Sequence, residues 1–137
     1  MSDPAIFYKK GDVVCAPFPY QQDFEQEKLR PVLLLAPSDS GGFVCAYITS
    51  KSHRQNLIKI QVKDFKEGYI DSFNPSYVRP DIIYTAATST IQKKYGTLKD
   101  EKVDEIVQSL VNLLLSPPTV APVAPAFQRP PRPSKLF

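Results

Sequence analysis

The side chains with chemical reach in this 137-residue chain are few and specific in type. There is one histidine, His53, and there are two cysteines, Cys15 and Cys45. One histidine cannot serve two-histidine ribonuclease chemistry, and most hydrolytic triads are excluded with it. A structural zinc site takes about four Cys/His ligands, and two cysteines make no disulfide framework, so neither metal nor cofactor is expected. Nor is there a Gly-rich phosphate loop, a GxSxG elbow or a His–Glu metal motif. His53 sits in the polar stretch SKSHRQN, where a histidine is ordinarily solvated and a proton-transfer role is the alternative. What remains is basic and aromatic. Between Gly41 and Lys63 stand Lys51, Arg54, Lys59 and Lys63 with no acidic residue, a stretch able to meet phosphates locally. The plainer reading of those charges is a solvated loop and strand face. Phe18 and Tyr20 flank the first loop, and Tyr47 lies near Thr49. Rings of this kind hold single-stranded bases at about 1–3 kcal/mol each, but on strands they more often belong to a core. That leaves Tyr20 as the favoured stacking residue.

The elements that must carry these residues read as short strands followed by one helix. Residues 12–18 (DVVCAPF) and 31–36 (PVLLLA) are short apolar runs bounded by Gly, Pro or Ser. Residues 43–49 (FVCAYIT) follow a Ser-Asp-Ser-Gly-Gly turn, in which two glycines make positive φ inexpensive. Residues 57–62 (LIKIQV) alternate apolar and polar, the period of a half-buried strand. Val78 and Ile82 to Tyr84 suggest one or two further short strands around Pro80. With no helix between them, these strands are expected to pair antiparallel. The helix comes late. Val103, Ile106, Val107, Leu110, Leu113 and Leu114 fall on one helical face, read here as core, and Asp100 and Glu101 suit its N-terminal dipole. The sum is mainly β with a C-terminal helix, a small curled sheet or partly open barrel.

Composition changes at Ser116. Seven of the 14 prolines fall in residues 117–137, which reads as a Pro-rich flexible tail after a single domain at 1–116. Its Arg129-Pro-Pro-Arg-Pro segment suits an aromatic-lined groove, though an unbound tail is the simpler expectation. The net charge of +3 resides there too, in Arg129, Arg132 and Lys135, so residues 1–116 balance 14 basic against 14 acidic side chains. Bulk charge therefore argues for no partner. No apolar run approaches the ~20 residues of a membrane span. The first ten residues lack a secretory pattern, so a cytoplasmic, non-membrane protein is expected.

Several segments follow one another in a fixed order. Lys10-Gly-Asp-Val-Val-Cys-Ala-Pro-Phe-Pro opens at residue 10, then come Glu25-Gln26 and Leu29-Arg30-Pro31-Val32-Leu33-Leu34-Leu35. Ala46-Tyr47-Ile48-Thr49-Ser50 follows, then Pro75-Ser76-Tyr77-Val78-Arg79-Pro80-Asp81, and Gly96-Thr97-Leu98 stands before the helix. Taken together the order resembles the MazF/PemK family of toxins from type II toxin–antitoxin modules, over residues 6–115. The Pro-rich tail has no counterpart in that pattern, and the 25–29 loop lacks the glycine many members carry.

The resemblance implies an SH3-like, strongly bent β-barrel of the MazF/PemK/CcdB type with a C-terminal helix, usually a homodimer. It implies cleavage of single-stranded RNA at short recognition sequences without a metal, and inhibition by a cognate antitoxin through an acidic, initially disordered segment. It matches Arg30 to the family's catalytic arginine, Thr49 to its catalytic threonine and Glu25 to a loop glutamate. Such chemistry needs a donor to the charge that builds on the phosphate, and a planar guanidinium is well suited. Arg30 beside Pro31 would supply that donor, Thr49 a short hydrogen bond to the scissile phosphate, and Glu25 an acceptor for the 2′-hydroxyl proton. Tyr20, Ser50, Lys51, His53 and Arg54 are the candidate RNA-binding residues, with Ser76 and Arg79 facing either RNA or a second subunit. Without the pattern, Arg30 would read as a surface ion pair with Glu25 or Glu27 and Thr49 as ordinary β propensity. Two other functions stay open on sequence: a non-catalytic inhibitor that acts by binding, as gyrase poisons of this barrel do, and a plain SH3-like interaction module.

Overall fold

A computed structural model describes residues 7–19, 27–52, 57–70 and 75–117 of the chain. Seven strands are joined by antiparallel pairing into one sheet in the order β4-β6-β3-β2-β1-β7-β5. They are β1 Asp12–Pro19, β2 Glu27–Ser38, β3 Gly42–Thr49, β4 Ile58–Ile60, β5 Phe65–Gly68, β6 Ser76–Ala87 and β7 Lys93–Leu98. A 15-residue helix, α1 (Asp100–Leu114), closes one side of the curled sheet, giving a half-barrel with a C-terminal helix as the sequence led us to expect. Among the described residues no helix is long and apolar enough to cross a membrane.

The sheet is apolar on both faces, which is why its central strands read as near-continuous hydrophobic runs. Side chains alternate between faces, so neighbours in sequence enter different cores. Val13, Leu33, Ala46, Ile48 and Val78 join Val103 and Ile106 of α1 on one face. Val14, Ala16, Phe18, Val32, Leu34 and Cys45 form the second cluster on the other, with Tyr8, Tyr47, Ile82 and Tyr84 packed around it. Burial of Cys45 pushes its thiol up to about 11, with Ala86 backbone hydrogen bonding opposing the rise, so it serves as a small apolar residue.

Two sequence expectations need correction, and one alternative is resolved. The segment around Pro80, expected as one or two short strands, is a single 12-residue strand in which a bulge accommodates the proline. The β3–β6 register jumps from Ala46↔Ile83 to Tyr47↔Arg79, leaving residues 80–82 outside the ladder where no N–H is required. The helix stripe is core only as far as Leu110; Leu113 and Leu114 are exposed because the helix outruns the cluster it packs on. The sequence reading also passed over β5 and β7, whose lysines and glycines look like loop. The two strands lie so close that a Cβ on Gly96 would strike the Glu67 carbonyl, so glycine is what lets them pair.

Buried polar contacts fasten β1 to β7. Gly11, at φ +95°, turns the chain into β1, and Asp12 then enters the interior with no exposed surface. Its carboxylate accepts from the Lys9 amide at 3.0 Å and the Thr97 hydroxyl at 2.9 Å, and pairs with Lys9 at 3.3 Å and Lys94 at 3.4 Å. Burial alone would raise the Asp12 pKa, but these donors and cations outweigh it and hold the carboxyl below its ordinary value. Glu67 on β5 joins through Thr97 at 3.1 Å and Lys94 at 3.4 Å.

Candidate nucleic-acid interface

Strand register gathers the polar residues of interest on the sheet face opposite α1. The β2–β3 ladder ends at Val32↔Tyr47, and Arg30 and Thr49 each lie two residues beyond it on their own strands, on the same face by strand alternation. Thr49 in turn pairs with Tyr77 of β6, and Tyr77 with Lys59 of β4. Directly opposed residues share a face. Lys59, Tyr77 and Thr49 therefore form one row across three strands, roughly 10 Å long at ~4.8 Å per strand step, and Arg30 lies on the same face. A second row lies beside it, in which Arg79 opposes Tyr47 and Tyr47 opposes Val32.

Contacts within the group fix its geometry. Arg30 donates from Nη1 to the Tyr47 hydroxyl at 2.9 Å, and its guanidinium carbon lies 5.3 Å from the ring centroid. The hydrogen bond is the directional contact, and the ring adds attraction for the cation. Tyr47 rests on Phe18 with centroids 5.2 Å apart, and Phe18 meets Tyr84 edge-on at 5.3 Å. The arginine is thus braced by an aromatic string rooted in the second core. Thr49 is half-buried, and its Oγ1 accepts from the Lys51 amide at 3.1 Å. That bond uses an oxygen lone pair and leaves the hydroxyl hydrogen to donate. Arg79 is gripped by Asp81 through two hydrogen bonds, at 3.2 and 2.7 Å. Ser50, Lys51 and Lys59 are exposed along the same end of the sheet.

The arrangement presents cations, a hydroxyl donor and aromatic rings on one face, the chemistry of a site for phosphates linked to planar bases. Among the described residues no group of three or more His, Cys, Asp or Glu is placed to hold a metal ion.

The sequence pattern of PemK-like, MazF-like toxins of type II toxin–antitoxin systems matches residues 9–114. The chain belongs to this family. Among solved structures it is similar to MazE–MazF from Deinococcus radiodurans, with TM-score 0.61 and 19% identity, over 82% of this chain and 100% of that one. It is also similar to an endoribonuclease in complex with its cognate antitoxin from a mycobacterial species, with TM-score 0.57, 16% identity and coverage of 80% and 95%. The Mycobacterium tuberculosis toxin MazF-mt6 gives 0.54 and 18%, over 75% and 95%. At these identities the structural likeness speaks for the fold. No curated protein sequence matches the chain.

Within this MazF-like toxin, then, Arg30, Thr49, Ser50, Lys51 and Arg79 lie on one face or at its strand-end rim. Ser76 does not join them. It is 1% exposed and points with Val78 and Ile60 into the helix-side core, where its hydroxyl has no partner among the described residues. Tyr20, Glu25, His53 and Arg54 lie outside the described residues. Tyr47, Tyr77 and Lys59 were not singled out as site residues from sequence, and Tyr47 was set down as core. Their signal was the alternation of each strand, which becomes readable only once the cross-strand register is known.

Proposed function

We propose that this toxin is an endoribonuclease that cuts single-stranded RNA without a metal ion. The observation that carries the reading is that Arg30, hydrogen-bonded to Tyr47, lies on the same sheet face as Thr49. In the reaction the 2′-oxygen attacks the adjacent phosphorus and the bond from phosphorus to the 5′-oxygen breaks. A 2′,3′-cyclic phosphate remains on one fragment, and the 5′-oxygen takes up a proton to leave as a hydroxyl. Negative charge grows on the non-bridging oxygens as the new bond forms. A donor aimed there is worth about 3–4 kcal/mol, and Arg30 supplies it through a planar guanidinium. Thr49 donates its hydroxyl hydrogen to the same phosphate, and Glu25 accepts the 2′-hydroxyl proton. Tyr47 and Tyr77 offer rings to the flanking bases, while Lys59, Lys51 and the 53–54 segment meet the phosphate chain. Solved structures similar to this chain include a MazE–MazF complex and an endoribonuclease bound to its cognate antitoxin, which supports an antitoxin as a partner here. Its acidic segment competes with RNA for the basic residues of the groove, which a second copy of the chain completes.

Incubation of the protein with long RNA in EDTA, followed by mapping of both ends, tests the mechanism. Cuts with 5′-hydroxyl and 2′,3′-cyclic phosphate ends are expected. Strict dependence on Mg²⁺, or 5′-phosphate products, would overturn it.

A further inference from the structure

Arg79 is locked to an acid of its own strand, Asp81. Nε of Arg79 donates to one carboxylate oxygen at 3.2 Å and Nη2 to the other at 2.7 Å, a fork closed on both sides. The Arg79 side chain is 13% exposed and that of Asp81 38%, so the acid is the more exposed partner, and it also lines a surface cavity with Pro80 and the α1 residues Glu105 and Gln108. The bulge at residues 80–82 is what brings them together, since it bends β6 just beyond the point where Arg79 opposes Tyr47. Arg79 is thereby delivered to the face of Arg30 and Thr49 with its charge already balanced.

We propose that Asp81 is an affinity-setting residue of the RNA groove: by neutralising Arg79 it keeps one cation from drawing in phosphates, and holds sequence-independent binding down. This rests on the reading of the face as the RNA site. Each cation that meets a phosphate of a single strand releases counterions and steepens the dependence of log K on log salt by about 0.7. An arginine closed by a carboxylate contributes little of this, and the carboxylate itself repels phosphates within the ~10 Å screening length at 0.1 M salt. Removing the negative charge while keeping the side chain's size and an oxygen acceptor, as in Asp81→Asn, restores the charge of Arg79.

The test measures binding of a mixed-base 20-nucleotide 2′-O-methyl RNA, which lacks the attacking hydroxyl and stays uncut, from 0.05 to 0.3 M salt. Asp81→Asn is expected to bind several-fold more tightly at 0.05 M than the unsubstituted protein, with a salt slope steeper by about 0.7. The charge-balanced double variant Arg79→Ala/Asp81→Asn should bind as the unsubstituted protein does. Arg30→Ala, measured alongside, should bind more weakly. Circular dichroism confirms that each variant is folded. If Asp81→Asn binds no more tightly while Arg30→Ala weakens, or if the double variant binds far more weakly, Asp81 does not set affinity and the groove reading stands. Unchanged binding in Arg30→Ala overturns the groove reading and the role of Asp81 with it.

Discussion

A guanidinium that already donates to a tyrosine hydroxyl is a stiffer donor than one swinging freely in solvent. Arg30 gains this from Tyr47, whose ring is in turn held by Phe18, so the donor direction is set before any phosphate arrives. Removal of the donor in Arg30→Ala, or of the hydroxyl in Thr49→Ala, should slow cleavage about a hundredfold or more, near 3 kcal/mol in activation free energy. Arg30→Lys should also be poor, because an ammonium cannot reproduce the planar fork. Tyr47→Phe keeps the ring but deletes the acceptor that aims Arg30. A smaller loss, about tenfold or roughly 1.4 kcal/mol, is expected there. His53→Ala should cost least, since its place in the polar stretch SKSHRQN suits phosphate steering more than proton transfer. Single-turnover rates for these variants, with circular dichroism to show that each is folded, check the ranking. A dead His53→Ala beside an active Arg30→Ala would move the reacting centre to the 51–56 loop.

At the scale of elements, the pairing of β1 with β7 is guarded by a buried carboxylate and its cations. Asp12 has a pKa below its unfolded value of about 3.9, so its contribution to stability is present above that value. It is lost as pH falls through the folded pKa. Urea unfolding from pH 7 down to 3 should therefore show stability dropping below about pH 4. Asp12→Asn should be less stable at pH 7 by about 1–3 kcal/mol and show a flatter acid limb. An unaltered acid limb in that variant would assign the drop to other carboxylates. The strands at issue also show what a sequence can and cannot announce. β1, β2 and β3 were legible because their apolar runs are long enough to be buried on both faces, and α1 because Val103, Ile106, Val107 and Leu110 keep helical spacing. β7 was not, because Lys93 and Lys94 face solvent and ion pairs, and Gly96 is there for close approach instead of bulk. The site divides the same way. Arg30 and Thr49 were singled out by the order of motifs and fall on one sheet face, whereas the Arg79–Asp81 grip depends on a bulge opposite Tyr47 that no local pattern encodes.

For the whole molecule, charge and mass are unevenly divided. Residues 1–116 are balanced in charge, so attraction for RNA must come from how cations are placed on one sheet face and not from the total. The excess of three positive charges belongs to residues 117–137, which also hold seven of the 14 prolines. Each proline lacks a backbone donor, and the segment's large apolar residues are limited to Val120, Val123, Phe127, Leu136 and Phe137. Among the described residues, the two clusters that fill the sheet faces are built from residues between Tyr8 and Leu110. A core assembled upstream in this way should not need the last 21 residues. A chain ending at Ser116 is expected to melt within a few degrees of the full chain, since a shift of about 4–8 °C per kcal/mol would report lost packing at this size. It should also cut RNA at a rate within a few-fold, because Arg30, Thr49, Tyr47 and Lys59 all lie well upstream. Differential scanning calorimetry of both chains, paired with cleavage assays at equal ionic strength, decides the matter. A drop beyond about ten degrees would mean that the tail packs on the domain, with the exposed Leu113, Leu114 and Leu115 at the end of α1 as the first place to look for the contact.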